Sequence, residues 1–379
     1  MNPLIVLQSY QNDISNLRSH HWKYWIDLYT NCSFDCAYCV YRTGDKMNRT
    51  IAHPERIEAL SQDLNSLERK GIVYLGPQAD IYQPLERKYR LARKALETFL
   101  NADMPVFIVT RSESIIDDID LLRDLASKGL VEVSVTIASP NAIKALEPQT
   151  ASVAKRINLI KELTSSGIST SVHISPIIPF FDEIEELEKL LEMIATTGTH
   201  CAYACMLGVT SNYYQLLLSR LYEIHPEKVD RFLRAFPKKP PHGSVMSAPN
   251  HIVFAVMSHL SRYATTRSIP FACVHIPPFD TIERSGGVFR YKLPNVGDMV
   301  RYLDRYGLND VSLSELIGFL RDFPAVDDAY LDKIRSYWYS RELFRNTYFH
   351  SYIHDDSTIH YQRSNQLDLF IENMRVTGS

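Results

Sequence analysis

The sequence predicts an α/β fold in which repeated βα units build a parallel sheet. Two observations carry this. Between residues 24 and 207, strand-like runs alternate with longer helix-like runs, the pattern of βα units. The chain has 379 residues, more than the roughly 100–200 of a typical domain, yet one α/β barrel can use most of that length.

The strand candidates are Tyr24–Thr30, Ile72–Leu75, Pro105–Thr110, Val131–Ile137, Ile168–Ser175 and His200–Leu207. Helical stretches fall at Pro54–Arg69, Glu86–Leu100, Ile115–Lys128, Val153–Ser166 and Asp182–Thr197. Three successive strands carry a polar face. Glu132, Ser134 and Thr136 alternate with valines and Ile137, Ser171, His173 and Ser175 with Val172 and Ile174, and Cys201, Tyr203 and Cys205 with alanines. Buried parallel strands normally read as continuous apolar runs. The polar faces therefore suit a barrel lumen that serves as a reaction chamber. Near Phe236 the pattern changes, and Pro237-Lys-Lys-Pro-Pro241 is a stiff, non-helical boundary. Beyond it lie a helical run at Ala248–Arg262, an apolar strand candidate at Pro270–His275, a Gly286-Gly287 turn and helix over Asp298–Leu343, broken near Pro324. Residues Ser340–Arg363 are rich in Tyr, Phe and His, and polar enough for a surface or a barrel mouth. The expected division is 1–236, 237–363 as a covering region, and a tail at 364–379.

Composition is that of an ordinary globular protein, 45% apolar and 22% charged, with a net charge of −3. Nucleic-acid binding would then need a local basic patch rather than the whole surface. Neither a signal peptide nor an apolar run of about 18 residues is present, so no membrane partner is expected. Six cysteines, half of them clustered, do not resemble a disulfide framework. A soluble cytoplasmic protein is expected.

Chemistry concentrates in Asn31-Cys32-Ser33-Phe34-Asp35-Cys36-Ala37-Tyr38-Cys39, directly after the first strand. Soft thiolates so close together select zinc, copper(I) or an iron–sulfur cluster. Zinc usually takes four protein ligands, often as two pairs. Three cysteines without a nearby fourth suit a four-iron cluster with one iron open. The Cys-x-x-x-Cys-x-x-Cys spacing resembles the signature of the radical S-adenosylmethionine (SAM) enzymes. That resemblance implies a partial (β/α)6 TIM-type barrel, here followed by a mostly helical extension.

Further motifs occur in order: Asp80-Ile-Tyr-Gln-Pro-Leu-Glu86, Thr110-Arg111, Thr136-Ile-Ala-Ser139, Leu146-Glu-Pro-Gln-Thr150, Lys155-Arg156-Ile157 and Ser175-Pro-Ile-Ile-Pro179. The series, spanning about Trp25 to Leu217, resembles the spore photoproduct lyase-like branch. The resemblance implies a [4Fe-4S] cluster on Cys32, Cys36 and Cys39 and SAM as cofactor. It implies SAM contacts at Tyr38, Asp80, Arg111, Thr136 and Ser175. By residue chemistry alone Asp80 also suits a helix cap, Tyr38 a packed ring and Arg111 a surface ion pair. The implied reaction is reductive cleavage of SAM to a 5′-deoxyadenosyl radical for hydrogen abstraction, fed by a flavodoxin or ferredoxin-type electron donor. The lyase's hydrogen-donating cysteine has no counterpart, because no cysteine lies between Cys39 and Cys201. Cys205, Cys201 or Tyr203 are the candidate replacements, and the two cysteines equally suit a small-residue core. Spore photoproduct repair itself is therefore not expected.

Gln366-Leu367-Asp368-Leu369-Phe370 resembles the pentapeptide by which bacterial repair proteins bind the sliding clamp. Leu367, Leu369 and Phe370 would be anchors in apolar pockets. Two functions follow: repair or modification of a DNA base or lesion, and tailoring of a small molecule, nucleotide or peptide.

Overall fold

A computed structural model of the chain describes residues 7–9, 22–42, 49–67, 72–199, 201–267, 269, 271–273, 303, 306–321, 328, 331–332, 335, 338 and 349–363. In chain order the strands are β1 (Gln8–Ser9), β2 (Trp22–Ile26), β3 (Tyr29–Thr30), β4 (Ile51–Ala52), β5 (Ile72–Leu75), β6 (Val106–Thr110), β7 (Val131–Ile137), β8 (Thr170–Ile177) and β9 (Cys201–Met206). They continue with β10 (Gly208–Thr210), β11 (Val245–Ser247), β12 (Phe271–Cys273), β13 (Asp310–Ser312), β14 (Phe349–Ile353) and β15 (Ile359–Arg363). The main sheet has the order β1-β2-β5-β6-β7-β8-β9-β12. From β2 to β9 neighbouring strands run parallel, in the order of the chain. This is the parallel α/β sheet that the βα alternation predicts, and its six strands from β2 to β9 match the partial barrel that the family resemblance implies.

The helices are α1 (Glu55–Ser66), α2 (Glu86–Tyr89), α3 (Leu91–Asn101), α4 (Ile119–Ser127), α5 (Pro140–Leu146), α6 (Val153–Ser165), α7 (Ile184–Ala195), α8 (Tyr214–Ile224), α9 (Pro226–Ala235), α10 (Asn250–Thr266) and α11 (Leu313–Arg321). Their inward stripes close the core. Helix α3, for example, buries Leu91, Ala92, Ala95, Leu96 and Phe99. Fully burying a Leu or Phe side chain contributes about 1.5–3 kcal/mol. The central strand β7 is buried at all seven positions, as a strand covered on both faces must be.

Two predicted elements are interrupted, each by a carboxylate. The first strand breaks at Asp27, whose Oδ1 accepts from the Gln78 and Ala79 amides at 3.1 and 3.4 Å. That contact turns the chain toward the loop after β5. The helix predicted over Glu86–Leu100 breaks at Arg90, which adopts a left-handed φ of 52°. Glu86 then caps the restart, accepting from Leu91 N at 3.0 Å and Ala92 N at 2.8 Å. A carboxylate at a helix N-terminus satisfies otherwise orphaned amides.

Beyond the Pro-rich run the chain returns to the barrel twice. Strand β11 pairs antiparallel with β10, and β12 pairs parallel with β9. The extension also contains an antiparallel sheet, β13-β15-β14, where the aromatic and His-rich sequence showed only a surface region. Its anchor is Trp338, whose Nε1 donates to Ile359 O at 3.0 Å and whose ring packs edge-on against Tyr361. Among the described residues no helix is long and apolar enough to cross a membrane.

One buried carboxyl links the barrel's upper loops. Asp182 accepts from Ile178 N at 2.7 Å and from Ser139 Oγ, the N-cap of α5, at 2.6 Å. Burial pushes its carboxyl up to about 7, with the Ile178 amide and Ser139 hydroxyl pulling the other way. Its stabilising contribution is fully present below 3.8 and is lost as pH rises to about 7. Asp182→Asn should flatten the pH dependence of urea stability across that window, removing a slope of at most about 1.4 kcal/mol per pH unit. Equal slopes in both proteins would show that Asp182 titrates like an ordinary carboxylate.

Candidate functional site

The carboxyl ends of β5 to β9 and the cysteine loop enclose a cavity of about 390 Å³. Cys32, Cys36, Cys39 and Tyr38 line it from the loop, and Asp80, Arg111, Thr136, Ser175 and Cys205 from the ends of successive strands. Ligands in α/β barrels bind at this end of the strands.

The cysteine loop is shaped by its neighbours. Asn31 and Asp35 take positive φ values of 60° and 53°, a left-handed region that Asn and Asp tolerate better than most residues. Gln83, fully buried, accepts from Ser33 N at 2.9 Å and donates to Asn31 O at 3.2 Å, holding the loop's start. Ala37 N donates to Leu146 O at 2.9 Å, which fastens its middle to the end of α5. Arg42 bonds both the carbonyl and the carboxylate of Asp35.

Asp80 organises the end of β6. Its carboxylate accepts from Thr110 Oγ1 at 2.8 and 3.0 Å, from Arg111 N at 2.7 Å and from Tyr82 N at 2.9 Å. A carboxylate offers about four lone-pair sites, so most of its capacity is used on the chain itself. Gly76 precedes this turn with φ +76°, and a Cβ there would lie 2.8 Å from Ala79 O. Only glycine fits both the angle and the gap.

Beneath the loop lies a buried ion pair. Glu147 accepts from Arg156, from the Tyr38 hydroxyl, and from Thr150 Oγ1 at 2.7 Å. Both side chains of the pair are wholly buried. Arg156 also donates to Ala151 O at 2.9 Å and to Thr136 O at 2.7 Å. Arg111 Nε lies 3.6 Å from Glu147, and its guanidinium is 6.0 Å from the Tyr38 ring centre. Burial pushes the Glu147 carboxyl up, but Arg156 and Arg111 together outweigh it and hold the acid below its usual range. Glu147 and Arg156 sit inside sequence motifs already noted. Their signal was a lone acid and a lone base at stations otherwise facing the core.

The polar strand faces are largely satisfied internally. Ser171 Oγ donates to Glu132 at 3.0 Å, and the Ser134 and Tyr203 hydroxyls pair at 2.8 Å. The His173 and Tyr203 rings stack at 4.5 Å. The expected chamber therefore opens only at the carboxyl ends, where Thr136, His173, Ser175 and Cys205 face the cavity. Tyr203 is buried beneath this layer and does not line it. Cys205 Sγ lies 3.5 Å from Met206 O. The Cys201 side chain and the segment Gln366–Phe370 lie outside the described residues.

Two polar atoms at this cavity are buried without a hydrogen-bond partner, Thr136 Oγ1 and Arg111 Nε. Buried polar groups are normally paired, so these two stand out at the cavity, Arg111 Nε having only the 3.6 Å approach to Glu147. Burial pushes the Cys32 thiol up to about 12, with Asp80 adding to the shift. Cys36 is also raised, by burial and then by Glu147, against the pull of Arg111. Such thiols become thiolates only with a cation beside them.

Residues 26–194 match the family model of the Radical SAM superfamily. An uncharacterized protein of Methanocaldococcus jannaschii is 30% identical over 171 residues, which are 43% of this chain and 63% of that protein. The match thus spans less than two thirds of the archaeal relative. The radical SAM Nalpha-GlyT isomerase of Pseudomonas phage M6 is 23% identical over 54% of this chain and 44% of its own length. Spore photoproduct lyase complexed with dinucleoside spore photoproduct superposes with a TM-score of 0.55 at 15% identity, covering 72% of this chain and 80% of the lyase. Residues 26–194, with the cysteine loop at the mouth of the barrel, thus form a domain that matches the radical SAM superfamily, and the fold around it is like that of spore photoproduct lyase.

Proposed function

We propose that this chain is a radical SAM enzyme acting on a base or base lesion in DNA, with a [4Fe-4S] cluster held by Cys32, Cys36 and Cys39. The observation that carries the reading is one cavity lined by the three thiols of the cysteine loop, in which the Thr136 hydroxyl and the Arg111 Nε make no hydrogen bond to the protein. That donor set fits an iron–sulfur cluster beside an amino-acid nucleoside. When bound, cluster and SAM together supply a 5′-deoxyadenosyl radical for hydrogen abstraction. Arg111 offers a guanidinium fork to the methionine carboxylate, and Thr136 offers its hydroxyl to the ribose. Tyr38 and Ser175 flank the adenine, and Asp80 uses its remaining lone pair on the amino group. Glu147 acts through others, holding Tyr38 and Arg111 at the cavity wall.

Cys205, the described thiol of β9 that faces the cavity, is the proposed hydrogen donor to the product radical. Its S–H bond breaks, a C–H bond forms, and a thiyl radical remains. Cys201 and Tyr203 on the same strand are the alternative donors. Residues 237–363 are proposed to cover the substrate, since Val245, Ser247 and Val253 line the same cavity. A DNA substrate is supported by the lyase of similar fold, whose structure holds a dinucleoside spore photoproduct. The resemblance of Gln366–Phe370 to a clamp-binding pentapeptide supports a place among replication or repair proteins. A flavodoxin or ferredoxin-type protein in the cytoplasm is the proposed reductant.

Anaerobic reconstitution with iron, sulfide, SAM and dithionite should yield 5′-deoxyadenosine, and Cys36→Ala should abolish it. Failure to assemble a four-iron cluster would overturn the reading. Glu147→Gln removes the charge from one side of a buried pair. It should destabilise the fold by about 3–5 kcal/mol and raise the KM for SAM more than it lowers kcat, at unchanged iron content. An unchanged KM would mean that Glu147 supports the fold only. DNA affinity should fall with salt at a log–log slope of about −0.9 per phosphate contacted. A reconstituted protein that ignores DNA at low salt would instead be a tailoring enzyme for a small molecule, nucleotide or peptide.

A further inference from the structure

The β14–β15 hairpin gathers a second set of metal-ligating side chains, far in sequence from the cysteine loop. We propose that His354, Asp356 and His360 form a binding site for a borderline divalent transition metal of the zinc(II) type. One ligand atom from each residue lies within 4.8 Å of the others. His354 Nδ1 and Asp356 Oδ1 are 3.5 Å apart, and the two imidazole rings are 4.7 Å apart at 20°. Zinc–nitrogen and zinc–oxygen bonds are about 2.0–2.2 Å, so closure needs about an ångström of movement. His354 and Asp356 are 46% and 58% exposed, so they can turn without disturbing the core.

The carboxylate that would orient His360 is already in place, and it comes from another strand. His360 is only 11% exposed, and its Nδ1 lies 3.1 Å from Asp310 Oδ2 on β13. Tyr352 OH donates to the same oxygen at 2.6 Å. A carboxylate on one imidazole nitrogen fixes the tautomer, leaving the other nitrogen's lone pair for a metal. That second nitrogen, Nε2, is 3.1 Å from Thr358 Oγ1, whose hydroxyl donates to Asp356 Oδ1. An ion would displace Thr358 from both ligand atoms.

The hairpin is shaped before any ion arrives. His354 N donates to Thr358 O at 2.9 Å, and Ser357 N donates to His354 O at 2.8 Å, with Ser357 at φ +65°. Asp356 accepts from Thr358 N at 2.9 Å. Two imidazoles with one carboxylate suit zinc, nickel, copper or cobalt rather than the oxygen-ligated magnesium or calcium. Three protein ligands leave a fourth position for water. The ion would join β13 to the β14–β15 turn through Asp310 and His360, bracing the C-terminal sheet.

Metal analysis after equilibrium dialysis of the full-length protein against zinc chloride tests this, using wild type, His354→Gln and Asp310→Asn. Wild type should bind one more zinc per chain than His354→Gln, whose melting temperature without zinc should match wild type. Asp310→Asn should keep the site and weaken it about 10–100-fold. Zinc could also occupy the cysteine loop, so the zinc-edge absorption difference between wild type and His354→Gln is the deciding measurement. It should contain only nitrogen and oxygen neighbours. Equal zinc content in wild type and His354→Gln, or sulfur in the difference spectrum, would overturn the proposal.

Discussion

The carboxylate of Glu147 is the constraint on which the candidate site depends. Removing a carboxylate and a guanidinium from water costs several kcal/mol per ion, and their attraction recovers this only when the remaining donors are also used. Here they are used. Arg156 meets Glu147, Ala151 O and Thr136 O, while Glu147 also takes the Tyr38 hydroxyl and Thr150. A single buried pair thereby joins the cysteine loop to the end of β7, with Arg111 at the end of β6 close by. Loops after different strands have no intrinsic reason to keep a fixed distance from one another. A shared buried charge gives them one.

The same burial sets the terms for metal. Cys32 and Cys36 both sit where ionisation is disfavoured, and Asp80 and Glu147 add negative potential. Arg111 opposes it at Cys36 without cancelling it. Burial therefore favours the neutral thiol at Cys32 and at Cys36, which a bound cation would reverse. Loading must release protons, and affinity for a soft metal should climb with pH for that reason. The backbone is set beforehand by Gln83, Asp35 and the tie from Ala37 to α5. What the metal contributes is charge.

Much of this was legible in the sequence, and the remainder was hidden for identifiable reasons. The βα alternation located the six strands from β2 to β9 of the parallel sheet because each is a strand-like run between helical periods. Cys32, Cys36, Cys39, Tyr38, Asp80, Arg111, Thr136, Ser175 and Cys205 do share one cavity. The breaks at Asp27 and Arg90 were not legible, because each depends on a carboxylate meeting amides distant in space or on the next helical turn. Gln83 and Arg156 were visible only as motif letters; that they brace the site depends on tertiary contacts no spacing reports. The C-terminal sheet was missed because an aromatic and His-rich stretch reads as surface until Trp338 is seen beneath it.

The cavity is mixed in its chemistry, and that mixture bears on substrate. Its lining includes the thiols, Asp80, Arg111 and Thr136, and also an apolar set, Val40, Met206, Leu207, Val245 and Val253. Within the β10–β11 ribbon a Cβ on Gly208 would meet Val245 Cγ1 at 2.9 Å, so the missing side chain leaves room for Val245 in its present position. The three residues at 245, 247 and 253 lie beyond the Pro-rich run, so the chain crosses its own boundary to complete the pocket. A strongly charged group would lose its hydration against these apolar side chains with no donor in return. A flat, weakly polar ring would lose little, and the proposed nucleobase substrate presents that kind of surface.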